Sequence, residues 1–265
     1  MAMNLELKKF DMSKIKDNSV VVLIGKRDTG KSFLCRDILH HHKSIPVGQV
    51  ISGTEGANQF YQKIVPKLFI HEEFKTDIVQ NMLKRQKLMI EKKNSGSAGL
   101  DTRAFLILDD CLYDNTWAKD KFMRSVFMNG RHYKLLFLLT MQYALGIPPN
   151  LRTNIDYVFI LRENYVSNRK RLYEHYAGMF PTFEMFCQVM DQCTENYECL
   201  VINNNAKSNK LSDQVFWYKA EPRPDFKIGA DSYWLYSKNN YSNEYIGKEE
   251  DYGNVKKPIQ VNKLY

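Results

Sequence analysis

The chain has 265 residues, of which 44% are hydrophobic and 26% charged; this balance supports a packed core and excludes disorder, collagen-like sequence and fibrous repeats. No window approaches the roughly 20 uninterrupted apolar residues of a membrane span, and residues 1–17 carry too many charges (Glu6, Lys8, Lys9, Asp11, Lys14, Lys16) to read as a secretory signal or a transit peptide. The 38 basic and 30 acidic residues leave a net charge of +8, a surplus that suits a polyanionic partner such as nucleic acid without requiring one.

In chain order, the first element is the run Val20-Val21-Val22-Leu23-Ile24. It is mostly β-branched and does not alternate, which predicts a strand buried on both faces, as in a parallel sheet covered by helices. A glycine loop over 25–32 follows, and then apolar residues at helical spacing over 33–39. Strands are predicted at 47–51 and 67–70, with a short helix near 58–64. Residues 72–93 predict a long, basic, amphipathic helix, and 94–99 a loop of small residues. Another buried strand at 105–108 runs into Asp109-Asp110. A helix is expected over 117–128, closed by Asn129-Gly130. Strands follow at 135–139, ending at Thr140-Met141-Gln142, and at 158–161. Beyond Tyr165 come helices at 168–176 and 182–192, then strands at 199–202 and 215–218. Strands separated by helices point to an α/β domain with a mostly parallel central sheet. Residues 1–220 are expected to form that domain, and 221–265 a polar, tyrosine-rich extended tail.

Gly25, Gly30, Lys31 and Ser32 satisfy G-x-x-x-x-G-K-[ST], the phosphate-binding loop. The spacing matters because the loop must wrap a phosphate with its N–H groups turned inward, and the following helix presents its positive end. The residues expected at the nucleotide are Gly25, Lys26, Arg27, Asp28, Thr29, Gly30, Lys31, Ser32 and Phe33. Lys31 would reach the β- and γ-phosphates of ATP, and the Ser32 hydroxyl would ligate Mg²⁺. The bland alternative is a glycine turn between elements, which the strand before and the helix after disfavour.

Asp109 and Asp110 supply the second half of the chemistry. A carboxylate closing a buried strand can hold the metal's hydration shell, and the next residue can polarise the attacking water. Asp109 is therefore assigned to the metal and Asp110 to the base. Their separation from Lys31, 78 residues for Asp109, leaves room for two strand-helix units and for an extra strand between the phosphate loop and the acidic strand. The strand ending at Leu139 would be that insertion, bringing Thr140 and Gln142 near the γ-phosphate, with Gln142 as a sensor. Phosphoryl transfer of this kind commonly takes one more cation from a neighbouring subunit. Arg152 is the first candidate and Arg131 the second, with Arg124 behind them.

Other features carry less. His40-His41-His42 reads as a helix C-terminal cap, and His71-Glu72-Glu73-Phe74 lacks the second histidine of a metalloprotease helix. The five cysteines show no zinc spacing and read as reduced thiols of a cytosol-like compartment. The basic strips 84–87, 92–93 and 169–171 are either solvated faces or a track for a phosphate backbone.

The loop 25–32, the acidic strand 106–110, the segment Asn129-Gly130-Arg131-His132-Tyr133, and Thr140-Met141-Gln142 leading to Leu151-Arg152-Thr153-Asn154 together resemble the genome-packaging ATPases of large double-stranded DNA viruses and virophages. These belong to the FtsK-HerA superfamily of P-loop motors. The resemblance spans about 20–218. It implies a RecA-like ATPase that forms a homo-oligomeric ring, meets capsid or portal-vertex proteins, and drives double-stranded DNA into the capsid, either in the host cytoplasm or in the virion. Asp110 stands where the wider superfamily commonly has glutamate, so its shorter side chain must sit closer to the water. Two other classes compete. One is a small nucleoside or nucleotide kinase with Arg162, Arg169 and Arg171 on a lid; the other is a nucleotide-binding structural protein that hydrolyses nothing.

Overall fold

The computed structural model describes residues 5–97, 99–111, 116–144 and 146–242. Its elements in chain order are β1 (Val20–Ile24), α1 (Lys31–His41), β2 (Gly48–Ser52), α2 (Glu55–Asn58), β3 (Ile70–His71), α3 (Thr76–Asn94), β4 (Ala104–Asp109), α4 (Lys121–Asn129), β5 (Leu135–Met141), α5 (Pro149–Arg152), β6 (Tyr157–Ile160), α6 (Val166–Tyr176), α7 (Phe183–Cys193), β7 (Glu198–Asn203), α8 (Leu211–Gln214), β8 (Val215–Lys219) and α9 (Asp231–Asn240). The strands form one sheet in the order β3-β2-β4-β5-β1-β6-β7-β8. From β3 through β6 every pairing is parallel, and β7 runs antiparallel between β6 and β8.

The reason for this layering lies in β1, all five residues of which are buried. Val20, Val22 and Ile24 point into one core, with Met82 of α3, Val126 of α4 and Phe186 of α7. Val21 and Leu23 point into the other, with Leu34 and Ile38 of α1, Phe10 and Tyr61. A strand without a polar face needs cover on both sides, and each fully buried aliphatic side chain contributes about 1.5–3 kcal/mol by leaving water. Helical crossovers supply the cover and keep the strands parallel. As expected, β5 lies between β1 and the acidic strand β4.

Several local expectations shift. The strand expected at 67–70 is a 3-10 turn, Lys67–Phe69, followed by the two-residue strand β3. The helix expected over 72–93 begins only at Thr76. The helix expected over 117–128 is broken at Asp120, whose side chain accepts the N–H groups of Phe122 (2.8 Å) and Met123 (2.9 Å) and so starts α4 afresh. That is ordinary N-capping, which hydrophobic spacing alone does not reveal. All five cysteines are free thiols, and Cys35, Cys111 and Cys199 are buried.

The extended tail is the larger correction. Where it is described, over 221–242, the C-terminal stretch folds back on the sheet. Ile228 and Tyr233 are buried in the core that covers α1, the Tyr233 hydroxyl donates to the Gly48 carbonyl at 2.8 Å, and its ring stacks on Phe69 with centroids 4.3 Å apart. The polar composition hid two apolar anchors. Residues 243–265 lie outside the described part of the chain.

An ion cluster joins this segment to α1. The buried carboxylate of Asp37 accepts from Arg223 Nε at 2.6 Å, the Tyr218 hydroxyl at 2.6 Å and the Glu221 N–H at 3.0 Å. Asp37→Ala leaves three donors without an acceptor. It is expected to cost about 3–5 kcal/mol, the range for breaking a buried pair, read as a lower urea midpoint at unchanged m-value.

Candidate nucleotide site

The chain turns at Gly25 because its neighbours leave no room for a side chain: a Cβ there would lie 2.7 Å from Thr29 Oγ1 and 2.8 Å from Leu161 Cβ. The Gly25 N–H donates to the Met141 carbonyl at 3.0 Å, tying the loop to β5. Thr29 Oγ1 donates to the Lys26 carbonyl at 2.7 Å and closes the loop on itself. Asp28 and Gly30 take positive φ, 61° and 97°, and Gly30 caps α1. Glycine adopts such a conformation without strain, and the helix start presents its free N–H groups to an anion.

Lys31 opens α1 and is only 9% exposed. Its Nζ donates to the carbonyls of Gly25 (2.6 Å) and Lys26 (2.8 Å). Burial pulls its pKa down, and the charges of Asp110 and Asp109 act against that.

Asp109, the last residue of β4, is 5% exposed. Its carboxylate accepts from the Thr140 hydroxyl at 2.5 Å and from the Tyr61 hydroxyl at 3.0 Å. Burial pushes the Asp109 carboxyl above its usual range although both hydrogen bonds favour the ionised form. Burial and the neighbouring Asp109 charge also raise Tyr61 well above the usual phenol range. Asp110 follows at φ 49°, its N–H donating to Thr140 Oγ1 at 3.0 Å and its carboxylate accepting from Gln142 Nε2. Thr140 of β5 and Gln142, just past its end, thus hold both aspartates.

Arg27, Asp28, Gly30, Lys31, Ser32 and Phe33 line one cleft of about 920 Å³ with Asp109 and Asp110, large enough for a nucleotide. Lys26 does not line it. Its Nζ is turned to the other side of the loop, 2.7 Å from Glu163 Oε1 and 3.6 Å from the centre of the Tyr165 ring. Neither Arg131 nor Arg152 is among the lining residues described. Arg131 pairs with buried Asp156 at 2.6 Å, and the same carboxylate accepts the N–H of Val20 at 2.8 Å, at the start of β1. The length of a five-residue strand, roughly 16 Å, separates that point from the loop of the same subunit. Arg152 lies over the Tyr176 ring, 5.9 Å from its centre. Of the three arginines expected on a kinase lid, Arg169 is held by the Glu163 carbonyl (2.6 Å) and by Asp191 (2.7 Å).

Sequence reasoning missed Tyr61, Glu163 and the cleft residues Thr54, Asn58, Phe60, Tyr197 and Lys219. For Glu163 a signal existed: it lies just past a strand, and in open α/β sheets ligands gather at the carboxyl ends of strands. For Tyr61 none did, because the loop that carries it has no motif.

No family model matches the chain. The uncharacterized protein L437 of Acanthamoeba polyphaga mimivirus is 41% identical over 244 residues, covering 91% of this chain and 86% of its own length. The uncharacterized protein 075L of Invertebrate iridescent virus 6 is 42% identical over 231 residues, 86% of this chain and 88% of its own. The chain belongs to this family of viral proteins. Among solved structures, the genome packaging NTPase B204 from Sulfolobus turreted icosahedral virus 2 in complex with ATP-gammaS superposes with a TM-score of 0.53 at 16% identity, over 78% of this chain and 100% of that one. The pCW3 conjugation coupling protein TcpA, also with ATPgS, gives a TM-score of 0.53 at 14% identity, over 84% of this chain and 64% of that one. The chain therefore shares the fold of these two nucleotide-bound proteins, in agreement with the fold that the sequence resemblance implies.

Because folding buries the Asp109 charge, its folded pKa lies above the unfolded value near 3.8. The ionised group therefore lowers stability at neutral pH, and that loss is relieved as pH falls through the folded pKa. An asparagine keeps hydrogen bonds to both hydroxyls, since each can donate or accept. Asp109→Asn is expected to raise the thermal midpoint of the nucleotide-free protein at pH 7, and scanning calorimetry of the two proteins in the same buffer checks it.

Proposed function

We propose that the chain is an ATP-hydrolysing motor that packages double-stranded viral DNA, acting as a homo-oligomeric ring against capsid or portal-vertex proteins, in the host cytoplasm or in the virion. The observation that supports this most is the convergence of Lys31, Ser32, Asp109 and Asp110 on one cleft from positions far apart in the chain. The likeness to the packaging NTPase supplies the direction.

In this reading the loop N–H groups and the start of α1 cradle the β- and γ-phosphates. Lys31 exchanges its two carbonyl partners for phosphate oxygens, a swap that its three donors allow without leaving it unpaired. Asp110 accepts the proton of the attacking water, and Gln142 orients that carboxylate through its amide. The donor set fits Mg²⁺, which takes few protein oxygens and keeps several waters: Ser32 offers a hydroxyl, and Asp109 a buried carboxylate whose described hydrogen-bond partners are neutral. When bound, the ion neutralises charge building on the phosphate oxygens. Arg152 and Arg131, away from their own cleft, are the candidates to complete a neighbour's site in the ring. DNA is held through its phosphates by the exposed Lys84, Lys87, Lys92 and Lys93 of α3 and by Lys170 and Arg171 of α6, so binding is independent of sequence and weakens with salt.

Purified protein is expected to release phosphate from ATP with Mg²⁺, and faster with duplex DNA. Lys31→Ala should reduce turnover at least about 100-fold, and an unchanged rate would overturn the assignment. In mixtures with wild type, Arg152→Ala subunits should depress activity more than in proportion to their share if the arginine acts across the interface. Strict proportionality would remove it from that role and turn the same test on Arg131→Ala.

A further inference from the structure

Glu163 takes no part in the chemistry outlined above, yet it is 5% exposed and its described side-chain hydrogen bonds reach both the phosphate loop and α6. It lies just past β6, and because β6 pairs with β1 the sheet sets it beside the loop that β1 leads into. Its Oε1 accepts from Lys26 Nζ at 2.7 Å and from the Tyr165 N–H at 2.8 Å, and its Oε2 from Asn168 Nδ2 at 2.9 Å. The last two donors belong to the entry and first turn of α6. Hydrogen bonds from Lys26, Tyr165 and Asn168 outweigh burial and hold the Glu163 carboxyl below its usual range. The Lys26 ammonium also lies over the Tyr165 ring at 3.6 Å, close enough for a cation–π contact. The backbone carbonyl of Glu163 accepts from Arg169, which pairs with Asp191 of α7. Helix α6 carries the exposed basic pair Lys170 and Arg171 on its next turn.

We propose that Glu163 is a positioning residue which, through Lys26, ties the conformation of the phosphate loop to that of α6, so that nucleotide binding and duplex-DNA binding are energetically linked. The proposal rests on the nucleotide reading of the cleft. Lys26 lies within the loop, between Gly25 and the residues that line the cleft. A phosphate that draws the loop inward pulls on the Lys26 ammonium, the only charge pairing Glu163 among its described contacts. The carboxylate then holds Tyr165 and Asn168 less firmly and frees the start of α6 to move. Linkage makes the effect reciprocal: DNA that favours one position of α6 changes nucleotide affinity by the same factor.

The test measures ATPγS affinity of the full chain by calorimetry, with and without saturating duplex DNA, and DNA affinity with and without ATPγS. Wild type is expected to show the same coupling factor in both directions, about fivefold or more. Glu163→Gln keeps the shape and an acceptor for Tyr165 but loses the charge, and should bring the factor to about one while leaving ATPγS bound. Lys26→Met approaches the same contact from the loop and guards against misfolding of the first variant; it should lower the factor as far, and the double variant no further than either single. Coupling that persists in both single variants, or a wild-type factor of one, overturns the proposal and leaves the nucleotide reading standing. Wild type that binds no ATPγS overturns both. Loss of coupling in Glu163→Gln with full coupling in Lys26→Met also overturns it, since it would place the effect in α6 capping alone.

Discussion

One hydroxyl organises the candidate site. Thr140 Oγ1 donates to Asp109 at 2.5 Å and accepts the N–H of Asp110 at 3.0 Å, so a residue at the end of β5 sets both carboxylates of β4. It can do so only because β5 lies between β4 and β1. The same strand end holds the phosphate loop through the Met141 carbonyl and Gly25. The distance between the phosphate loop and the aspartates is therefore a sheet dimension, one interposed strand, and flexible side chains do not determine it. At about 4.8 Å per strand spacing, that leaves room for a terminal phosphate and a water between the two halves.

Three of the buried carboxylates among the described residues differ in what neutralises them. Asp37 faces Arg223 and Asp156 faces Arg131; each joins two parts of the chain that meet only in the folded state. Asp109 has two neutral hydroxyls instead, from Thr140 and Tyr61. Burying a charge without a cation is costly, and in the function proposed above a cation brought in with the nucleotide would relieve that cost at Asp109.

Asp110 shows how local backbone geometry compensates for a short side chain. Its φ of 49° lies in the left-handed region that aspartate tolerates better than most residues, and the resulting turn brings its carboxylate against the Gln142 amide. A glutamate would reach further from a regular backbone. Here the bend after β4 does part of the reaching.

Composition and short-range pattern were enough for the class of fold and for several of the residues that meet in the cleft. Val20–Ile24 admits no polar face, which calls for a sheet covered on both sides; Gly25, Gly30, Lys31 and Ser32 stand at a spacing that has one common chemical use; Asp109-Asp110 follow four apolar residues. Each of these signals is local, written within about ten residues, and so survives without knowledge of the rest of the chain. Tertiary structure decided what depends on which strands become neighbours. It brought Tyr61 to Asp109, turned Lys26 away from the cleft toward Glu163, placed Arg131 at the far end of β1, and folded 221–242 back through Ile228 and Tyr233. No residue near Tyr61 or Glu163 in the chain announces its partner, because the contact arises only when the sheet order closes distances of 48 residues for Tyr61 to Asp109 and far more for Lys26 to Glu163.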